Sequence, residues 1–202
     1  MKNKKKYQIY CDMDGVLVDF QSAVVKQINR DLKNKNVIGK KIEKLRKDLA
    51  DLQRDHITEK DLDKINKENR LKSARKYMYR VASNNERFWA NLPWMPEGKE
   101  LWEYIKKYDP CILTTPLQDE ASKKGKARWI EENLFPKPKK VIMSHEKYKW
   151  ATDENGRSNI LIDDFTINTI PWEEKGGTSI LYINASKAIK ELKELMDESY
   201  II

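Results

Sequence analysis

The chain has 202 residues, 39% of them hydrophobic and 36% charged, the balance of a soluble globular protein rather than of a fibre or a disordered tail. Its 40 Lys/Arg outnumber 32 Asp/Glu, for a formal net charge of +8, and no apolar run approaches the ~20 residues that span a bilayer. Only two cysteines and two histidines are present, which argues against a disulfide scaffold or a zinc cluster.

The basic start, Met1 to Lys6, lacks the apolar stretch of ~7–15 residues that a secretory signal carries, so a solvated end is expected. A strand is predicted over Tyr7–Cys11. It runs straight into Asp12-Met13-Asp14-Gly15-Val16-Leu17-Val18-Asp19-Phe20. Two carboxylates two residues apart, at the carboxyl end of a buried strand, can both turn into one crevice. They make a site for a divalent cation and a phosphate. Gly15 lets the loop backbone approach a ligand closely. An aspartate there can attack phosphorus as a nucleophile, and its neighbour can serve as general acid. Asp19 can orient a sugar or a helix end.

The charge then shifts. Residues 30–80 hold 17 Lys/Arg against 9 Asp/Glu, while the rest of the chain holds 23 of each. All the excess sits in one stretch, which marks 21–85 as a basic insertion in a unit formed by 1–20 and 86–202. Ile42, Leu45, Leu49 and Leu52 give one apolar stripe on a charged helix. Thr58 with Asp61 starts a second helix, and Leu71 to Val81 forms a third. Such helices bury little alone, so they are expected to pack as a small cap over the strand ends.

Beyond the insertion, helix and strand alternate. Helices are predicted over Glu97–Lys107, Ser122–Leu134 and Ala185–Ser199, and strands over Lys140–Met143 and Ser179–Ile183. Strand Cys111–Thr114 ends in Thr115 and Pro116, and strand Asn159–Asp163 ends in the pair Asp163-Asp164. Alternation of this kind argues for a parallel sheet covered by helices on both faces, with ligands at the carboxyl ends of the strands. Both cysteines, Cys11 and Cys111, fall on buried strands, which points to inert thiols in a reduced, cytoplasmic protein.

The order Asp12-Met-Asp-Gly-Val, Leu113-Thr-Thr, a lysine, then Leu161-Ile-Asp-Asp resembles the haloacid-dehalogenase-type (HAD) phosphohydrolases, most closely their 5'(3')-deoxyribonucleotidase branch. Phe88-Trp89-Ala-Asn-Leu-Pro93, Lys126-Ala-Arg-Trp129 and Trp172-Glu-Glu-Lys-Gly-Gly177 add to it. The likeness covers residues 7–20 and about 86–183, and leaves 21–85 unmatched. It implies a Rossmann-like α/β core, a parallel sheet flanked by helices, with a small helical cap inserted after the first strand.

The resemblance also assigns roles. Asp12 becomes the nucleophile that forms an aspartyl-phosphate, and Asp14 the general acid and base. Mg²⁺ is expected on Asp12, the Asp14 backbone carbonyl and an acid of the Asp163/Asp164 pair, with Asp164 as direct ligand and Asp163 in support. Thr114 contacts a phosphate oxygen, and Thr115 adds a second contact. Lys149 matches the lysine of the third motif, with Lys147 as the alternative, and Lys126 matches a second phosphate-binding lysine. By their placement, Phe20 and Trp89, with Phe88, either stack on a base or, for Phe88 and Trp89, form the core of the cap hinge.

The expected substrate is a (deoxy)nucleoside monophosphate. The alternative is a phosphorylated nucleic-acid end held by the basic insertion, and a third reading is a nucleic-acid-binding module without catalysis. No membrane partner is expected. The oligomeric state stays open, with a homodimer among the options.

Overall fold

The structure, a computed structural model, describes residues 7–33 and 78–197. Five strands form one parallel sheet: β1 (Ile9–Cys11), β2 (Cys111–Thr114), β3 (Val141–Met143), β4 (Ile160–Asp163) and β5 (Thr178–Leu181), in the order β3-β2-β1-β4-β5. The helices are α1 (Phe20–Lys33), α2 (Glu86–Ala90), α3 (Gly98–Ile105), α4 (Glu120–Asn133), α5 (Thr166–Glu174) and α6 (Ala185–Asp197). This is the α/β, Rossmann-like core expected from the sequence.

Strands β1, β2 and β4 are buried along their whole length, which is why they read as unbroken apolar runs. Their side chains alternate between two cores. Ile9, Cys11, Ile112, Ile160 and Ile162 pack with Leu101, Trp102 and Ile105 of α3, Trp129 of α4 and Leu192 of α6. Tyr10, Cys111, Leu113 and Leu161 pack with Trp172 of α5 on the other face. The two free thiols therefore lie in different layers.

Chain order places the site. The sheet grows outward from β1 through β2 to β3, then returns to the other side of β1 for β4 and β5. The order reverses between β1 and β4, and such a reversal opens a crevice at the carboxyl ends of the strands. Asp12 follows β1 and Asp163 ends β4, so both face that crevice, and Asp12 N donates to Ile162 O at 2.9 Å.

Two local devices complete the frame. Asp19 caps α1, accepting from Ser22 N at 2.8 Å and from the Ser22 hydroxyl; of the two roles open to it, the helix end is the one it fills. Gly125 of α4 lies so near α2 that a Cβ would stand 2.4 Å from Trp89 Cβ and 2.5 Å from Glu86 O. Helices α2 and α4 close together only because that position is bare, and the next residue, Lys126, is carried inward.

Helices α1, α2 and α5 are additional to the predicted elements, and Pro171 inside α5 interrupts its periodic signal. The stripes read at 42–52 and 58–65 lie outside the described residues. Of the third, only the end is described, as helix over 78–82, with Ala82 fully buried. No helix among the described residues is long and apolar enough to cross a membrane.

Candidate active site

Four aspartates and two lysines meet at the crevice. Asp12 stands at the end of β1 and Asp14 two residues on, in a loop closed by Leu17 N and Val18 N donating to Met13 O and Gly15 N to Val18 O, each at 2.9 Å. Gly15 takes φ +78°, and a Cβ there would lie 2.0 Å from Asp164 Oδ2. The residue is glycine on two counts, its left-handed backbone and the carboxylate pressed against it.

Asp163, fully buried, has both oxygens engaged. Oδ2 accepts from Lys147 Nζ at 2.6 Å, Oδ1 accepts from Phe165 N at 3.0 Å, and Asn168 Nδ2 reaches both, at 3.0 and 3.1 Å. No other side chain bonds the Asp164 carboxylate among the described residues. Asn168 is a site residue that sequence patterning passes over. Its signal lies in the spacing, five residues past Asp163, on the first turn of α5.

The lysine inside the site is Lys147, not Lys149. Lys147 is 2% exposed, with Nζ 2.6 Å from Asp163 Oδ2 and 2.8 Å from Asp12 Oδ1. Lys149 stands at the surface, paired with Glu146. Both belong to a 3₁₀ turn, Lys147–Trp150, whose three residues per turn throw positions two apart onto different sides. The other lysine, Lys126, is fully buried. It donates to the Asp14 carboxylate and, at 3.0 Å, to Thr114 Oγ1. Thr115 donates its hydroxyl to Ser144 O at 3.0 Å, tying β2 to the loop after β3.

The aromatic residues lock onto one another. Phe20 and Trp89 stack with centroids 5.2 Å apart, and Phe88 meets both edge-on. Trp89 is 2% exposed, donates Nε1–H to Ala82 O at 2.9 Å, and holds Lys126 Nζ 4.8 Å from its ring centre. Its ring serves packing and the buried ammonium, so the expected base-stacking face is spent. Phe20 stays half-buried just past the Asp12–Val18 loop.

The charge balance is uneven, four carboxylates against two ammonium groups, and it shows in the acids. Burial pushes Asp14 above the usual carboxylate range, Lys126 pulls it back, and Asp12 adds to the rise. Burial, then Asp12, lifts Asp163 to about 6 against the pull of Lys147. Burial, with Asp12 and Asp163 close by, lifts Asp164 to about 8. Lys147 is opposed by burial, yet Asp12 and Asp163 raise it all the same.

A divalent cation fits this deficit. One oxygen from each of Asp12, Asp163 and Asp164 lies within 4.8 Å of the others. Asp14 Oδ1 is buried without a hydrogen bond, and Asp12 Oδ1 has the Lys147 ammonium 2.8 Å away as its counter-charge. An all-oxygen donor set with a surplus of two negative charges suits a hard dication such as Mg²⁺.

No family model matches the sequence, and no curated protein matches it. Solved structures do match. An HAD-hydrolase, YfnB of Bacillus subtilis, bound to magnesium, aligns over 96% of this chain and 100% of its own at 12% identity and a TM-score of 0.55. A hydrolase from Streptococcus pneumoniae TIGR4 aligns over 96% and 99% at 13% identity and 0.51. An HAD-like family hydrolase from Xanthomonas campestris aligns over 98% and 95% at 11% identity and 0.50. With its five-stranded order, its helices on both faces and its acids at the switch point, the chain has the fold of the HAD hydrolases.

Proposed function

We propose that the protein is a Mg²⁺-dependent phosphatase that hydrolyses (deoxy)nucleoside monophosphates through an aspartyl-phosphate. One observation carries the chemistry: Asp12 and Asp14, two residues apart, turn buried oxygens into one crevice, Asp14 Oδ1 with no hydrogen bond and Asp12 Oδ1 against the Lys147 ammonium at 2.8 Å. Leaving the Asp14 oxygen unsatisfied costs about 1–3 kcal/mol, a cost that a ligand removes. The nucleotide assignment rests on the sequence resemblance to the 5'(3')-deoxyribonucleotidases.

In this reading Asp12 attacks phosphorus while the bond to the leaving oxygen breaks, and that oxygen takes a proton from Asp14. Asp14, now a carboxylate, accepts a proton from water as the water attacks the aspartyl-phosphate. Inorganic phosphate departs and Asp12 is restored. Burial favours the protonated form of Asp14, while its bond from Lys126 favours the carboxylate, so the group is poised to do both. Lys147, Lys126 and Thr114 line the place where phosphate charge develops, in surroundings that strengthen their hold. Mg²⁺, on Asp12, Asp164 and the Asp14 carbonyl with Asp163 in support, would offset the negative charge of phosphate and site.

The deciding experiment is phosphate release from deoxy- and ribonucleoside monophosphates, with Mg²⁺ and with EDTA. Metal-dependent turnover that Asp12→Asn abolishes without loss of fold is expected. Near-normal turnover by Asp12→Asn would eliminate the aspartyl-phosphate route, and turnover of sugar phosphates alone would eliminate the nucleotide assignment.

A further inference from the structure

A groove of about 560 Å³ opens between α1 and the two ends of α2. One face of α1 forms a wall through Ala23, Lys26, Gln27 and Arg30, at the three- and four-residue steps that bring side chains onto one side. Arg87 and Phe88 of α2 face it, between the capping residues Asn85 and Asn91. Among the described residues, three cations line the space and no carboxylate does. Among the described residues, none of Lys26, Arg30 and Arg87 forms an ion pair. Cations gathered around a concave surface without acids raise the local concentration of anions.

We propose that this groove binds the phosphodiester backbone of a single-stranded oligonucleotide. Three observations favour a strand over a small anion. The cations are spread along the groove rather than focused on one point: Lys26 and Arg30 lie ~6 Å apart along the axis of α1, at 1.5 Å per residue. An aromatic ring, Phe88, lines the same groove, and a basic track beside an aromatic platform is how single strands are held. The groove also leads toward the catalytic loop. Phe88 meets Phe20 edge-on at 5.7 Å, and Phe20 follows Asp19 directly.

Arg30 stands ~15 Å along the helix from Phe20, too far for one mononucleotide to touch both Asp12 and the groove. The strand end would lie at Asp12 while the phosphates behind it lie between α1 and α2. Binding in the groove stands on its own residues; only the fate of the strand end rests on the phosphatase reading.

The test uses the full chain in EDTA and a fluorescein-labelled dT12 with no terminal phosphate, followed by anisotropy across a salt series. The wild type is expected to bind with log Kd changing by ~2 per decade of salt, as three contacts to a single strand imply. Arg30→Glu with Arg87→Glu should weaken binding at least tenfold and flatten that slope. The same double variant should keep its thermal midpoint and its hydrolysis of a small chromogenic phosphate ester. Equal binding by variant and wild type would overturn the proposal, as would no binding by either. Inorganic triphosphate held by the wild type and lost by the variant, with dT12 ignored by both, would also overturn it, in favour of a free polyphosphate. Groove binding without phosphate release from any ester would sink the phosphatase reading and leave this one standing.

Discussion

The Lys126 ammonium, fully buried, is bonded to the carboxylate of Asp14 across 112 residues of chain. No short-range pattern announces the pair. It exists because Gly125 lets α4 lie against α2, because the Trp89 ring supports the cation, and because Thr114 accepts from the same ammonium. The cation that opposes burial in fixing the proton affinity of the proposed general acid is thus delivered by helix packing, not by the Asp12–Val18 loop.

Lys126→Met should therefore lower kcat/KM by about 10²-fold, the scale seen when one preorganised donor to developing charge is removed. Phosphate release from the best substrate measures it. A variant within threefold of wild type would take Lys126 out of the site.

Lys147 and Lys149 offer a paired comparison. Lys147→Met leaves Asp12 and Asp163 facing each other in a buried space, and removing one partner of a buried pair costs about 3–5 kcal/mol, less whatever protonation of the acids recovers. Activity and thermal midpoint should both fall. Lys149→Met touches only an exposed pair with Glu146, so turnover should hold within about twofold and stability within about 0.5 kcal/mol. The opposite ranking would restore Lys149 as the site lysine.

That choice shows where sequence reading reaches its limit. The acids were legible because the runs ending in Asp12, Thr114 and Asp163 are apolar on both faces, and a run of that kind has only its carboxyl end to offer a ligand. The lysine was not, because two candidates two residues apart differ only in the local turn, and a 3₁₀ turn is written by packing rather than by residue type. Trp89 misleads in a similar way. An aromatic residue near the Asp12–Val18 loop reads as a platform, yet its Nε1–H bond to Ala82 O and its stack on Phe20 draw it into the core. Asn168 has no signature beyond its distance from Asp163.

The raised acids predict how stability follows pH. Asp163 at about 6 and Asp164 at about 8 hold protons in the folded chain that an unfolded aspartate, near ~3.9, has released. Folded-state pKa values above the unfolded ones mean that stability from these two groups is present below pH ~4 and is lost as pH rises toward about 8. Mg²⁺ would need the carboxylates, so its binding would displace those protons and strengthen over the same range. Melting curves at pH 5, 6.5 and 8, in EDTA and in Mg²⁺, should show a thermal shift from Mg²⁺ that grows with pH. A shift that shrinks toward pH 8 would contradict both the acid cluster and its metal.

Gly15→Ala tests the geometry that holds Asp164. The methyl group would enter at 2.0 Å from Asp164 Oδ2 and 2.5 Å from its Cγ, on a residue with φ +78°. Relief must come from the backbone, at about 1–3 kcal/mol of strain, or from the carboxylate, which would swing away from Asp12 and Asp163. The two routes differ in what they spare. A backbone shift moves Asp14 as well and lowers turnover at any Mg²⁺ concentration. A displaced Asp164 weakens the metal, so activity should recover in part as Mg²⁺ is raised, with a smaller Mg²⁺-dependent rise in melting temperature. The second outcome is expected, because a side chain at the rim yields more readily than a loop closed by three backbone hydrogen bonds. A variant with unchanged Mg²⁺ dependence and full activity would show that Asp164 does not need its place against Gly15.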